Sequence, residues 1–534
     1  MNYVGRQHLS TGAAKMNVIL QETGQQQTAK PAIAASSHSD LSQKTIAGLG
    51  WSLGTQVLSQ GSRFLISVIL ARLIVPADFG LLGMVLVFTG FAGLFGDFGF
   101  GQSLIQREKI EERHRSSVFW LSLAIGFLLA GITVVAAPPT AHFYREPRLV
   151  PVMMLIAVSF PLGSLGTVQK ALLSRDMKFR ALGLIDVATT VISGLAAILL
   201  ALRGFGVWSL VWQQILSYVG AMIGMWWVLG WRPHLTFDRG AVAELFGFSA
   251  NLTGFSVVNY WFRNGDNLLI GRYFGSAPLG IYSRAYSLML LPLSQVTWVM
   301  AGVMFPALSK LQNDKMRVKN IYIRMVSIIG LITFPMMLGL LVVSDHFVLA
   351  LYGPAWAEMI PVLRIFCILG MAQGISSTVG LIFQSQGRTD WMFWWGSFSG
   401  GVSMVGIIIG VWMGSLAAIA TCLLCVGILL VIPSFSIAGR LIGMTVREVL
   451  RAASGVFSCA AVMAGSVWVL GTLLPSNWSH WKYLAVQVAF GVSLYVVLAH
   501  LVRLSAYQEL RAVVIRQVRA TVGPPVVPAA VIGD

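Results

Sequence analysis

Charge is what this sequence has least of: 11% of its 534 residues are Asp, Glu, Lys or Arg, and 20 of those are acidic. Soluble chains carry about a quarter charged residues, so a water-facing surface large enough to enclose this one is excluded. Long polar segments are also lacking. From Gly48 to Arg503, apolar runs of about twenty residues recur with short polar breaks between them, which leaves no stretch for a soluble catalytic domain. Cysteine is scarce: Cys367, Cys422, Cys425 and Cys459 all fall inside apolar runs, which argues against a disulfide framework or a zinc site. Cys422 and Cys425 form a C-x-x-C, but a redox role needs a thiolate near water, and this pair lies among Leu, Ala and Ile. No secretory h-region precedes the first run. Met1 to Asp40 is polar and rich in Gln and Ser, and reads as a disordered extension within which Met16 is an alternative start.

What is present is apolar. The hydrophobic fraction is 56% and the mean hydropathy +0.76, which predicts an all-α integral membrane protein of about fourteen transmembrane helices. The net charge of +17 could suggest nucleic acid, but the basic residues alternate from loop to loop. Arg107, Lys109, Arg113 and Arg115 fall in one loop, Arg175, Lys178 and Arg180 in another, and Lys310, Lys315 and Arg317 in a third. The intervening loops hold little beyond Arg72, Arg145, Arg148, Arg203, Arg272 and Lys482. The positive-inside rule reads this as a bacterial inner-membrane protein with both termini cytoplasmic. Trp226, Trp227 and Trp231, like Trp391, Trp394 and Trp395, cluster at predicted helix ends and read as interfacial anchors.

The organisation predicted is a cytoplasmic extension over 1–44, a six-helix bundle over 45–230, a second over 231–440, two further helices over 441–503 and a cytoplasmic tail over 504–534. The two bundles are related by an internal repeat. Arg63 and Arg263, Arg72 and Arg272, Ala77 and Ala277, and Gly80 and Gly280 match at a constant offset of 200 positions. Six helices per repeat preserve orientation, which predicts an axis along the membrane normal and a central cavity between the bundles.

On the first helix Ser52, Gln56, Ser59, Arg63 and Ser67 stack on one face, with Leu53, Val57, Phe64 and Val68 opposite. The seventh helix repeats the stripe with Ser256, Asn259, Arg263, Asp266 and Asn267. Polar stripes in a lipid-spanning helix face protein or water. An arginine at mid-helix costs about 2.5–3.5 kcal/mol on insertion scales, so Arg63 and Arg263 are expected to line the cavity and bind an anion. Gln56, Ser59 and Asn259 would supply partners for sugar hydroxyls, and Arg284 is a further substrate-binding candidate. The bland alternative pairs Arg263 with Asp266, three residues on. Paired guanidinium donors suit a pyrophosphate. Asp97, within Gly96-Asp97-Phe98-Gly99-Phe100-Gly101, and Asp266 are candidates for ion coupling. The three glycines should break the second helix. Asp186, near a helix start, reads as a macrodipole partner.

The sequence resembles the polysaccharide-transporter branch of the multidrug/oligosaccharidyl-lipid/polysaccharide exporter superfamily, the O-antigen and exopolysaccharide repeat-unit flippases. The resemblance is carried by Leu70-Ala71-Arg72-Leu73-Ile74 with Pro76, Phe79 and Gly80, and by Gly101 with Leu104-Ile105-Gln106. In the second half it rests on Tyr352-Gly353-Pro354-Ala355-Trp356 with Pro361, and on Gln386-Gly387-Arg388. It implies transfer of an undecaprenyl-pyrophosphate-linked oligosaccharide across the inner membrane by alternating access, with no enzymatic step, cofactor or metal. The expected partners are the lipid-linked oligosaccharide, the membrane and a polysaccharide polymerase or export complex, with no nucleic acid. A multidrug or cation antiporter of the same superfamily is the nearest rival, and a membrane-embedded polymerase the rival from another class.

Reporter fusions after Arg113, Lys178 and Lys315 are expected to report cytoplasm, and fusions near Arg145 and Ser479 periplasm. A periplasmic signal at Lys315 would overturn the six-plus-six repeat.

Overall fold

A computed structural model describes residues 54–96, 99–107 and 109–522. The expected extension over 1–44 and Asp97 lie outside them. Every element among the described residues is helical, because a chain in lipid satisfies its backbone polar groups within each segment. Residues 54–73 form α1. Then come α2 (Pro76–Gly93), the short α3 (Phe100–Gln106), α4 (Glu112–Tyr144), α5 (Leu149–Ala157) and α6 (Ser159–Arg175), α7 (Phe179–Leu202) and α8 (Val207–Leu229). The second half runs α9 (Arg239–Phe274), α10 (Ser276–Lys310), α11 (Lys315–Leu351), α12 (Met359–Ser376) and α13 (Val379–Ser385), α14 (Thr389–Trp412) and α15 (Leu416–Ile442). The chain ends with α16 (Val446–Leu473), α17 (His480–Leu501) and α18 (Ser505–Val522).

Among the described residues, eleven segments are long and apolar enough to cross a membrane by length and composition, with α5–α6 and α12–α13 each making one crossing. With α1, α8 and α9 added, the total reaches the roughly fourteen that the hydropathy predicts. The break between α2 and α3 falls where three glycines crowd the sequence, and Gly99 there takes φ 75°, a left-handed conformation that costs glycine little. Caps set other boundaries. Thr445 and Glu448 form a capping box at the start of α16, and Asp314 and Ser415 accept from first-turn amides of α11 and α15. Within the region expected as the tail lies the helix α18, with Leu504 and Ala506 buried at its root.

The halves meet where the repeat places matching glycines. A Cβ on Gly80 of α2 would overlap the carbonyl oxygen of Ser276, and a Cβ on Gly280 of α10 would overlap that of Pro76. The contacts are reciprocal at the offset of 200 seen in the sequence, so a pseudo-twofold axis passes between these two residues. Leu81, Met84, Ile281, Tyr282 and Ala285 pack round the crossing in one core that draws on both halves. Outward, large apolar side chains such as Ile192, Leu195 and Leu199 stay exposed, as a lipid-facing helix requires.

Two junctions flank that crossing. On the face opposite the basic loops, Arg72 donates to the carbonyls of Leu351 (2.7 Å) and Ala350 at the end of α11. The buried Trp356 donates to the Ala71 carbonyl at 2.8 Å and packs edge-on against Phe79. Beside it Arg148 bonds Glu146 at 2.9 Å, holding that carboxyl below its ordinary range, and reaches Asp78 at 3.8 Å. On the basic-loop face Arg107 pairs with Glu244, and Arg113 with Glu111 (2.7 Å) and Asp238 (3.2 Å).

Valine at Gly80 or at Gly280 is expected to destabilise the purified protein by about 1–3 kcal/mol, the cost of an overpacked contact, read as a lower thermal midpoint. The double variant should lose much less than the sum of the singles, because both relieve one crossing. Additive losses would show that the glycines do not share a contact.

Candidate functional site

A cavity of about 1040 Å³ lies within the second bundle, walled by α9, α10, α12–α13, α14 and α15. Arg263 is its single charged lining residue among the described ones. It sits on α9 with Asn259, Asn264 and Asn267, so the stripe seen in the sequence does face a cavity. Arg263 makes no ion pair with any described residue. Asp266 does not pair with it. That carboxylate is buried outside the lining, accepting from Tyr282 Oη at 3.0 Å and from the Asn267 amide at 2.7 Å. Its bonds to a tyrosine and a backbone amide give it a fixed place between α9 and α10.

The remaining lining is neutral. Gln373 and Ser376 face in from α12, Thr297 from α10, and Ser399 and Ser403 from α14, with Phe262, Tyr286, Phe393 and Trp395 presenting ring surface. Ser399 and Ser403 spend their hydroxyl protons on carbonyls of their own helix, at 3.1 and 2.8 Å, which leaves oxygen lone pairs toward the cavity. Asn267 Oδ1 is buried without a hydrogen-bond partner, an acceptor that a ligand hydroxyl could satisfy. The sequence reasoning missed the α14 wall. Gly396, Ser399, Gly400 and Ser403 follow the i, i+3, i+4, i+7 spacing used for α1, and the same search there would have found them.

Arg63 lies elsewhere. Its Nη2 is 2.6 Å from Asp186 Oδ1 on α7, and Ser59 Oγ donates to the other carboxylate oxygen at 2.5 Å. The pair is about half exposed, 55% and 46%, so it faces open space and is not sealed in protein. Asp186 is therefore a counter-ion for Arg63 rather than a partner for its own helix dipole, which fades within a turn while Asp186 lies about two turns in. Gln56 is exposed on α1. Arg284 is partly buried at the junction of the halves, where its Nη1 donates to Ser67 Oγ at 2.8 Å and its guanidinium lies 4.1 Å above the Phe79 ring. The substrate candidates thus fall into three places: Arg263 with Asn259 at the cavity, Arg63 with Ser59 at Asp186, and Arg284 between α1 and α10.

The repeat explains why one arginine is paired and the other is not. Met177 and Gly387, both at positive φ, precede α7 and α14 at equivalent positions. Counted from those residues, Asp186 corresponds to Gly396, which lines the cavity and whose missing side chain leaves open space. The acid that neutralises Arg63 has no equivalent beside Arg263.

Among the described residues no group of three or more His, Cys, Asp or Glu is placed to hold a metal.

Residues 69–361 match the family described as polysaccharide biosynthesis protein. The chain is 29% identical over 380 residues to the lipopolysaccharide biosynthesis protein WzxC of Escherichia coli, spanning 69% of this chain and 76% of that one. It is 30% identical over 358 residues to the succinoglycan biosynthesis transport protein ExoT of Rhizobium meliloti, spanning 66% and 72%. Among solved structures, the lipid II flippase MurJ in an inward closed conformation superposes with a TM-score of 0.68 at 14% identity, over 87% of this chain and 99% of that one. An inward-facing multidrug transporter of the MATE family reaches 0.56 at 13% identity, over 73% and 98%. At those identities the likeness is one of fold.

A double-mutant cycle on Arg63→Gln and Asp186→Asn, read as thermal stability, is expected to give a coupling of no more than about 1 kcal/mol, the range of solvent-facing pairs. A coupling several times larger would mean that the pair is sealed in protein.

The matched region covers more than half of the chain, and with the helical membrane fold it establishes that this protein belongs to the polysaccharide biosynthesis protein family of multi-pass membrane proteins.

Proposed function

We propose that the protein is a flippase that carries a lipid-linked oligosaccharide repeat unit, on undecaprenyl pyrophosphate, from the cytoplasmic to the periplasmic leaflet of the bacterial inner membrane. One observation carries the reading of the site: a cavity of about 1040 Å³ whose described lining has Arg263 as its only charge. A pyrophosphate needs a fixed cation with paired donors, and a guanidinium keeps its charge in a partly dehydrated cavity. Sugar hydroxyls need acceptors and donors of either sense together with ring faces, which Asn259, Gln373, Ser399 and Trp395 provide. Extrusion of a cation is disfavoured, because no carboxylate is among the described lining residues.

Arg263 then takes the phosphate first, its charge being uncompensated. Arg63 joins by exchanging Asp186 for the cargo's phosphate as the bundles approach, so that its guanidinium keeps an anionic partner throughout. The polar partners Ser59 and Gln56 lie on the same face of α1. The basic loops on the entry side support cytoplasmic termini through the positive-inside rule. A polymerase acting on the delivered repeat units is the expected downstream partner.

Arg263→Gln is expected to lower glycan export per membrane-inserted molecule roughly ten- to a hundredfold, the loss of a charge-assisted contact worth about 1.5–3 kcal/mol. Arg263→Lys should recover only part of it, because an ammonium lacks the planar fork. Export by Arg263→Gln at the wild-type rate, with equal protein in the membrane, would remove the phosphate site.

A further inference from the structure

A second crevice, of about 260 Å³, opens at the basic-loop ends of α11 and α16, where the root of α18 folds against them. It shares no lining residue with the larger cavity. Arg324 of α11 and Arg451 of α16 stand at its wall, with Glu509 of α18 as the only acid. Glu509 lies 3.6 Å from Arg324 and leaves Arg451 without an ion pair among the described residues. The neighbouring acid is already taken, since Glu448 bonds Lys319 at 3.0 Å and caps its own helix. Two guanidinium groups against one carboxylate leave the crevice cationic. Ser505 and Ala506 also line it, and as the first residues of an 18-residue helix their amides have no acceptor within that helix. Those amides and the positive end of the helix dipole add to the arginines.

The surroundings say what kind of anion fits. Immediately beside the crevice α16 exposes Leu450 and Phe457, 52% and 45% accessible, and α18 exposes Leu510 at 40%. Leu450 and Phe457 belong to a membrane-spanning helix that starts at the cationic wall, so the ligand has an anionic head at the crevice and hydrocarbon beside it. The sequence of α18 alternates apolar and basic positions, as in helices that lie in the membrane interface. We propose that this crevice binds the headgroup of an anionic phospholipid, phosphatidylglycerol being the simplest, drawn from the leaflet that the basic loops face. Basic pockets between transmembrane helices on that side suit such headgroups. A zwitterionic lipid fits less well, because its ammonium would lie against the guanidinium of Arg324 or Arg451. The bound lipid would bridge α11, α16 and α18, tying the amphipathic helix to the second bundle and to the first of the two helices that follow it.

The experiment is lipid retention by the purified full-length protein, read by native mass spectrometry after addition of phosphatidylglycerol or phosphatidylethanolamine. Wild-type protein is expected to retain phosphatidylglycerol in preference to phosphatidylethanolamine, and millimolar inorganic phosphate should not displace it. Arg451→Gln should weaken that retention about tenfold, and Arg324→Gln with Arg451→Gln should abolish the preference. Ser505→Glu supplies an independent variant: an acid in the first turn favours the helix yet places a negative charge in the crevice, so retention should fall while the thermal midpoint in phosphatidylethanolamine alone holds. Equal retention of phosphatidylglycerol by wild type and all three variants would overturn the proposal. So would full displacement by inorganic phosphate, which would make the crevice a site for soluble anions.

Discussion

The close approach of Gly80 and Gly280 is the contact from which the rest of the architecture follows. With no side chain on either residue, the backbones of α2 and α10 touch, and the halves share a core along those two helices. Close helix crossings in lipid rely on small residues, because van der Waals packing replaces the hydrophobic drive that water would supply. A reciprocal contact at an axis also serves motion. Rotation of one bundle against the other about this point moves the helix ends far and the crossing little, so the junctions on the two faces can open in turn without loss of the central packing.

The repeat that produces this symmetry also makes its departures legible. Arg63 and Arg263 occupy equivalent positions, yet one faces Asp186 and the other faces the open space at Gly396. A single acid-to-glycine difference leaves one bundle's arginine as half of an ion pair and the other's as the lone charge among the described lining residues of a large cavity. On the proposed reading the second bundle attracts an anion before any rearrangement, whereas the first must release one. In that reading the asymmetry gives binding a direction that two identical halves would lack.

Much of the fold could be read from the sequence, because an apolar run of the right length has few alternatives in lipid, and the alternation of basic loops orders the crossings. The stripe through Asn259 and Arg263 was legible for the same reason: helical periodicity fixes which residues share a face. Periodicity does not say which helix a face meets. The partner of Arg63 lies 123 residues away on α7, and that pairing arises from how α1 packs on α7, with Thr55 and Ile66 against Gly183 and Gly194. The walls contributed by α12 to α15 escaped notice for a simpler reason, since serine and glycine stripes carry no charge to draw attention. Trp356 was legible only as part of a motif, and its role depends on a hydrogen bond to Ala71 that crosses from one half to the other.

The two junctions differ in kind, and the difference bears on which face opens. On the basic-loop face the ion pairs that join the halves, Arg107 with Glu244 and Arg113 with Asp238, remain about a third to under a half exposed, and such pairs are worth about 0–1 kcal/mol each. On the opposite face a fully buried indole packs on Phe79, and two carbonyls at the end of α11 receive the guanidinium of Arg72. Buried aromatic contacts add about 0.5–1.5 kcal/mol beyond the area they cover, and opening this face would leave those carbonyls without their donor. By the ion pairs that cross it, the basic-loop junction is the weaker of the two. In the flippase proposed above, opening toward the basic loops then costs less than opening away from them, and that is the face from which a lipid-linked repeat unit would be taken up.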